Sequence, residues 1–131
     1  MKLFLAVLAL PVLALAQLDS DFVNLAKCKA TNPNLLNAIH NFCTGSNHIT
    51  VPSNYAYNGA TVGGQSAWIT TLPSLHCQPE YVPESFCKSQ MHHVCANGDK
   101  HGFGYAYYGA TGKKCQVFMT NTHDAHFKVW N

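Results

Sequence analysis

A short segment of this chain occurs twice, and this repeat restricts the possible fold more than any other feature of the sequence. Residues 55–61 read Y-A-Y-N-G-A-T, and residues 105–111 read Y-A-Y-Y-G-A-T. Two further pairs of segments match in the same order and at nearly the same spacing, namely 39–43 with 91–95 and 68–71 with 117–120. The coincidence of order and spacing indicates that one structural unit is used twice.

The first copy is predicted to form a helix followed by two strands. Asn32 is a suitable N-cap, and Pro33 suits the first helical turn. Apolar residues then follow at helical spacing as far as Cys43, and Gly45 is placed to end the helix. Residues 48–52 and 65–72 are predicted to be the two strands.

The second copy repeats this order. Pro83 is predicted to open a helix that Asn97 and Gly98 end, and residues 102–108 and 115–120 are predicted to be strands. Residues 126–130 are predicted to add a final strand, whereas residues 21–28 fit either helix or coil.

Two helix-strand-strand units and a C-terminal strand predict an α+β sandwich, in which both helices cover one face of a sheet of about five strands. Side chains alternate between the two faces of a strand. One set of alternate strand residues is predicted to face the core, and it consists of Ala67, Ile69, Val117, Met119, Phe127 and Val129. The other set is predicted to form an exposed face that serves as an interface, and it consists of Trp68, Thr70, Gln116, Phe118, Thr120, Lys128 and Trp130.

The first 16 residues are predicted to be a signal peptide. Lys2 precedes an apolar run, and Ala14-Leu15-Ala16 provides the small residues of a cleavage site. Residues 17–131 are then expected to form a single secreted domain. The apolar run is too short for a comfortable membrane span, and no second run of sufficient length follows.

Six cysteines lie in the expected mature domain, and an even number in a small exported protein predicts up to three disulfides. Spacing does not choose among the possible pairings. The absence of any C-x-x-C pair argues against a structural zinc site. The cysteines are Cys28, Cys43, Cys77, Cys87, Cys95 and Cys115.

The charge of the chain argues against nucleic acid as a partner. All eight basic residues other than histidine are lysines, and the formal net charge is only +2. Nucleic-acid-binding proteins usually carry a clustered basic surface and use arginine for bidentate phosphate contacts. Only Lys113 and Lys114 are adjacent, and a solvated turn accounts for that pair.

Aromatic residues interleaved with polar ones are the candidate binding residues. Tyrosine and tryptophan combine an apolar ring with a polar group, which suits the C–H faces and hydroxyl groups of a neutral sugar. The alternative is that these rings fill a small core. The candidate ligand-binding residues are Tyr55, Tyr57, Asn58, Trp68, Asp99, Tyr105, Tyr107, Tyr108 and Trp130.

The eight histidines suggest no defined site. His123 and His126 have the spacing of two metal ligands on a helix, but they are expected in a turn that enters the last strand. No metal or other cofactor is therefore predicted. Surface or hydrogen-bonded histidines would still make the net charge rise between pH 7 and 5.

Catalysis is the less favoured class of function. A ribonuclease that pairs His92 or His101 with Glu80 or Glu84 is conceivable, but no arginine would support the phosphate. No catalytic carboxylate pair or nucleophile motif is recognisable. The chain is therefore predicted not to be an enzyme, with a small secreted hydrolase as an alternative.

The sequence resembles small secreted fungal proteins with six cysteines and an αβ-sandwich fold, a group that includes glycan-binding proteins of mushrooms and is loosely akin to killer-toxin-like and effector folds. Two stretches carry the resemblance: residues 42–59, with F-C followed by I-T-V-P-S-x-Y-A-x-x-G, and residues 94–116, which begin V-C-A-x-G and end C-Q. The resemblance implies lectin-like binding of extracellular glycans, with a preference for N-acetylgalactosamine or fucose, and a homodimer formed through the sheet. It assigns no binding residue.

Three functions therefore remain as expectations. The first is a secreted lectin whose partner is an extracellular glycan or glycoprotein. The second is a secreted toxin or effector that binds a protein or membrane target. The third is the small hydrolase.

Overall fold

The computed structural model describes residues 20–72, 77–109 and 114–130, and the predicted signal peptide lies outside them. Helix α1 covers residues 20–31, which decides between the helix and the coil expected for 21–28. Helix α2 follows at Pro33–Thr44, α3 at Asn54–Asn58, α4 at Glu84–Ala96 and α5 at His123–Trp130. No helix among these residues has the length and apolar character needed to cross a membrane.

The two long helices begin where the sequence predicts. The side chain of Asn32 caps α2 by accepting the backbone N–H of Leu35 at 3.1 Å, and Pro33 occupies the first turn. Leu35, Ile39 and Phe42 lie on one stripe of α2 and are fully buried. Pro83 precedes α4, and Asn97 follows its last residue.

A four-stranded antiparallel sheet has the order β2-β3-β6-β5. Its strands are β2 at Ala60–Val62, β3 at Gln65–Thr71, β5 at Gly104–Tyr108 and β6 at Gln116–Thr122. A separate two-stranded sheet pairs β1 at Ile49–Val51 with β4 at Glu80–Val82.

The second predicted helix-strand-strand unit is present as α4, β5 and β6, and β6 pairs with β3 of the first unit at the centre of the sheet. The first unit is present only in part, because its predicted strand at 48–52 forms β1 in the separate sheet, and β2, which was not predicted, lies beside β3 instead. Helix α2 packs on β2 and β3, while α4 packs on β5 and β6, and both helices cover the same face. The prediction of a disulfide-stabilised α+β fold is therefore confirmed. The main sheet has four strands rather than about five, because β1 pairs with β4 and residues 126–130 belong to a helix, while β2, which was not predicted, adds one edge strand.

The predicted C-terminal strand is wrong, since residues 123–130 form helix α5. Thr122 caps this helix through its hydroxyl oxygen, which accepts the backbone N–H of Ala125 at 3.1 Å. Asp124 lies in the first turn, where the helix dipole favours a negative charge. Over only five residues, an alternating apolar pattern does not distinguish a strand from a helix that has a good cap.

The repeated tyrosine segment also takes two different conformations. In the first copy it forms the short helix α3, whose N-cap is Ser53, and in the second copy it forms strand β5. The sequence match therefore does not correspond to a shared local structure. Tertiary context outweighs local preference in a segment this short.

The predicted division of side chains between the faces is wrong for β6. Paired residues of antiparallel strands lie on the same face, and Ile69 pairs with Phe118 while Trp68 pairs with Met119. Phe118 therefore belongs to the core under α2 and α4, and Met119 lies on the opposite face with Trp68. The error comes from the register between the strands, which alternation within each strand does not define.

Three disulfides fix the helices and the loops to one another. Cys28 pairs with Cys95 and Cys43 pairs with Cys87, so both ends of α4 are tied to the N-terminal helices. The third disulfide, Cys77–Cys115, joins the segment before β4 to the residue before β6. This covalent network is typical of extracellular proteins.

Candidate functional site

A groove lined by aromatic, amide and carboxylate side chains lies between β4, the first turns of α4 and the end of β5. We call it the β4 groove, and its volume is about 310 Å³. Its lining residues are Glu80, Tyr81, Val82, Pro83, Phe86, Gln90, Tyr108, Gly109 and Gln116.

Strand β4 presents Tyr81 to the groove because the neighbouring residue, Val82, packs in the core. Val82 is buried opposite Ile49 of β1, and alternation along the strand turns Tyr81 outward, where 48% of it is exposed. His48 stacks on the Tyr81 ring with centroids 4.0 Å apart and planes within 4°. This contact limits the orientations open to the exposed ring.

Helix α4 contributes the second exposed ring. Pro83 precedes the helix, so Phe86 lies in its first turn, and 57% of Phe86 is exposed. Tyr108, at the end of β5, forms the third aromatic wall and meets Phe118 edge to face, with centroids 4.9 Å apart. Burial raises the pKa of Tyr108 above its usual value, so its hydroxyl stays protonated at neutral pH.

Both hydrogen-bond donors and hydrogen-bond acceptors lie beside these rings. The Gln116 side chain is buried, and its amide nitrogen donates to a carboxylate oxygen of Glu80 at 3.4 Å. Gln90, half-buried on α4, adds a second amide. Exposed rings with adjacent amide donors and carboxylate acceptors can stack on an apolar ring face and bond the hydroxyls around it.

Of the predicted ligand-binding residues whose side chains the structure describes, Tyr108 alone lines this groove. Tyr55 supports the fold instead, because its ring stacks on Phe42 at 5.5 Å and its hydroxyl donates to the Phe42 carbonyl at 2.6 Å. Burial raises the pKa of Tyr55. Asn58 is exposed at the end of α3, away from the lining of the groove.

Tyr57 and Trp68 come together on the opposite face of the sheet, where both contact His126 of α5. The Trp68 ring stacks on His126 with centroids 3.9 Å apart, and Tyr57 meets the same imidazole at 5.3 Å. Trp68 is only 1% exposed, which contradicts its predicted place on an open face. The side chain of Trp130 lies outside the described residues.

Tyr105 and Tyr107 remain accessible on the edge strand β5, with exposures of 63% and 43%. Their rings meet edge to face at 5.7 Å. Asp99 lies near this strand but has a structural role, since one of its oxygens accepts the backbone N–H groups of His101 and Phe103. These hydrogen bonds lower the pKa of Asp99.

The histidines occupy positions that the sequence did not define. His123 and His126 lie on a helix, contrary to the predicted turn, and His126 is fully buried. His92 pairs with Asp21 at 2.9 Å, rather than with either glutamate considered for catalysis. Within residues 20–72, 77–109 and 114–130, no group of three or more potential ligands is placed to hold a metal ion.

Sequence reasoning did not name Tyr81, Phe86 or Gln90 as binding residues, and it considered Glu80 only for catalysis. They lie between the repeated segments or on the polar side of α4, so neither the repeat nor the tyrosine clusters drew attention to them. One available signal was the alternation in Glu80-Tyr81-Val82, which turns Tyr81 outward wherever Val82 is buried.

Comparison of the chain with models of known protein families, with characterised proteins and with solved structures finds no match to any of them.

Proposed function

We propose that this protein is a secreted, lectin-like protein that binds extracellular glycans in the β4 groove. The observation that carries the proposal is the exposure of Tyr81 and Phe86 beside the hydrogen-bonded pair Gln116–Glu80. A sugar ring offers an apolar face and a rim of hydroxyls, and this groove offers surfaces complementary to both.

Export from the cell is part of the proposal. It is supported by the three disulfides, which persist in oxidising compartments, and by the predicted leader at residues 1–16. The resemblance to fungal glycan-binding proteins points to N-acetylgalactosamine or fucose as the first sugars to test.

The decisive experiment is a glycan array probed with the oxidised chain, followed by titration calorimetry with the best free sugar. We expect Tyr81→Ala and Phe86→Ala each to weaken binding about five- to thirtyfold, since loss of a stacked ring removes about 1–2 kcal/mol. Tyr105→Ala is the control, because it removes an exposed tyrosine that does not line the groove.

Two results would contradict the proposal in different ways. Binding that survives Tyr81→Ala but is lost in Tyr105→Ala would move the sugar site to β5. A chain that binds no glycan on the array would overturn the lectin function itself.

A protein-binding toxin or effector is the second candidate, and the exposed Tyr105–Tyr107 pair favours it. Tyrosine is enriched at protein interfaces, and β5 is an edge strand without a charged residue or proline to prevent pairing. A second copy of the chain could pair with the same edge, and β5 is therefore the edge at which we propose that a homodimer forms. Free sugar should inhibit binding if the protein is a lectin but should leave binding to a protein target unchanged.

Light scattering tests the dimer by comparing the molar mass of Tyr107→Lys in solution with that of the unmodified chain.

A further inference from the structure

Helix α5 covers part of the sheet face opposite α2 and α4, and a buried histidine makes the central contact. His126 has no exposed surface, and its ring lies nearly parallel to the buried Trp68 ring, 19° apart in orientation. Tyr57 of α3 approaches the same imidazole from another side. A side chain that ionises near neutral pH therefore lies at the centre of the contact between α5 and the sheet.

The covered face has a continuous row of large side chains. Trp68 pairs with Met119, and Met119 pairs with Tyr105 on the edge strand, so the three side chains lie side by side across β3, β6 and β5. Only the Tyr105 end is open, with Tyr107 beside it, while the Trp68 end lies against His126. Removal of α5 would extend the exposed tyrosine pair into a wider aromatic surface.

The charged groups around His126 do not favour its protonation. Strands β3 and β6 contain no titratable residue, and α3 contributes only tyrosines. On α5 itself, His123 disfavours a positive charge on His126, and Asp124 is exposed. Burial, together with His123, lowers the pKa of His126 despite a hydrogen bond with the Tyr57 backbone.

We propose that α5 is an acid-released cover, which withdraws when His126 is protonated and exposes the row Trp68–Met119–Tyr105. The helix is suited to this movement because it is short and follows the last cysteine, Cys115, so no disulfide restrains it. The buried indole nitrogen of Trp68 has no hydrogen-bond partner among the described residues, so exposure to water would relieve a cost of the closed state.

The sign of the pH effect follows from proton linkage. A histidine with a lower pKa in the closed state binds protons more readily once α5 is released, so the closed state loses stability as pH falls below about 6.5. The opening constant of α5 should rise about tenfold per pH unit until the pKa of the closed state is reached. At higher pH both states hold a neutral His126, and the effect disappears.

The test measures α5 opening directly in the full chain with its disulfides intact. In Trp130→Phe, Trp68 becomes the single fluorescent tryptophan, and we expect its emission to shift to longer wavelength between pH 7 and pH 4.5. Hydrogen exchange should show protection factors falling in residues 123–130 but not in β3. Binding of a hydrophobic dye should rise over the same range.

His126→Phe in the Trp130→Phe background separates this mechanism from general acid unfolding, because phenylalanine retains a stacking ring but does not ionise. We expect the acid shift of Trp68 emission to be lost, whereas the exposed-residue control His40→Gln should retain it. Should His126→Phe fail to fold, NMR titration of the His126 imidazole in the unmodified chain decides the matter. An emission shift in His126→Phe equal to that of its parent, or an imidazole pKa of 6.5 or above, would overturn the proposal.

Discussion

Ile69 of β3 and Phe118 of β6 are direct partners across the centre of the four-stranded sheet. They are also the residues that the sequence repeat aligns with each other. A residue that pairs with its own repeat equivalent in an antiparallel sheet must lie at the approximate two-fold axis that relates the two units. The two copies of the repeat therefore pair with each other through β3 and β6 at the centre of the sheet.

This position makes Ile69 a sensitive point for stability. Both it and Phe118 are fully buried beneath the helices. We expect Ile69→Ala to lower the free energy of unfolding by about 2–5 kcal/mol, through lost burial and the cavity that remains. Urea denaturation with intact disulfides measures the change, and Thr71→Ala, a half-buried position on the same strand, should have a much smaller effect. Equal losses in the two variants would contradict the central role of Ile69.

The three disulfides should differ in their resistance to reduction. Cys43 and Cys87 are fully buried between α2 and α4, whereas Cys77 is half-buried in a connecting segment. We expect mild reduction followed by alkylation and peptide mapping to label Cys77 and Cys115 first. Removal of the Cys43–Cys87 bond in a double serine variant should cost about 3–5 kcal/mol. Labelling of Cys43 or Cys87 before Cys77 would contradict the burial order.

Gly59 links α3 to β2 in a conformation that other residues rarely adopt. Its φ is +66°, and an added Cβ would collide with the Ala67 carbonyl oxygen and lie 2.7 Å from the Trp68 Cβ. We expect Gly59→Ala to lower the melting temperature far more than Gly64→Ala. Gly64 has a similar φ of +79° but open space around the added atom, so the difference between the two variants isolates the collision. Similar melting temperatures would show that backbone conformation alone limits both sites.

Acid should loosen the turn that Asp99 holds. Its pKa is lowered by the backbone N–H groups of Phe103 and His101, so the ionised carboxylate stabilises the turn at neutral pH. The stabilisation is complete above the ordinary aspartate value of about 3.8 and is lost as pH falls through the lower, folded value. NMR titration should show the His101 and Phe103 amide signals moving together with the Asp99 carboxyl. Asp99→Asn should remove this transition without affecting the behaviour of α5.

Local sequence signals were sufficient for the long elements. The Asn32 cap with Pro33, the apolar stripe that follows them and the boundaries of α4 act within a few residues, so the sequence defines both helices. The repeat likewise predicts the second helix-strand-strand unit, α4 with β5 and β6, and the central strand β3 of the first. These features, with the even number of cysteines, determined the α+β class.

Only the tertiary structure decided which residues meet. The register between β3 and β6 places Phe118 in the core, and the packing of α5 against the sheet buries Trp68. The β4 groove is likewise assembled from β4, α4 and the end of β5, which are distant in the chain. Cross-strand register and helix docking depend on the sum of many long-range contacts, whereas caps and periodicity depend on neighbours. For this reason the sequence alone determined α2, α4 and the α+β class, and the tertiary structure decided the strand pairing and the candidate site.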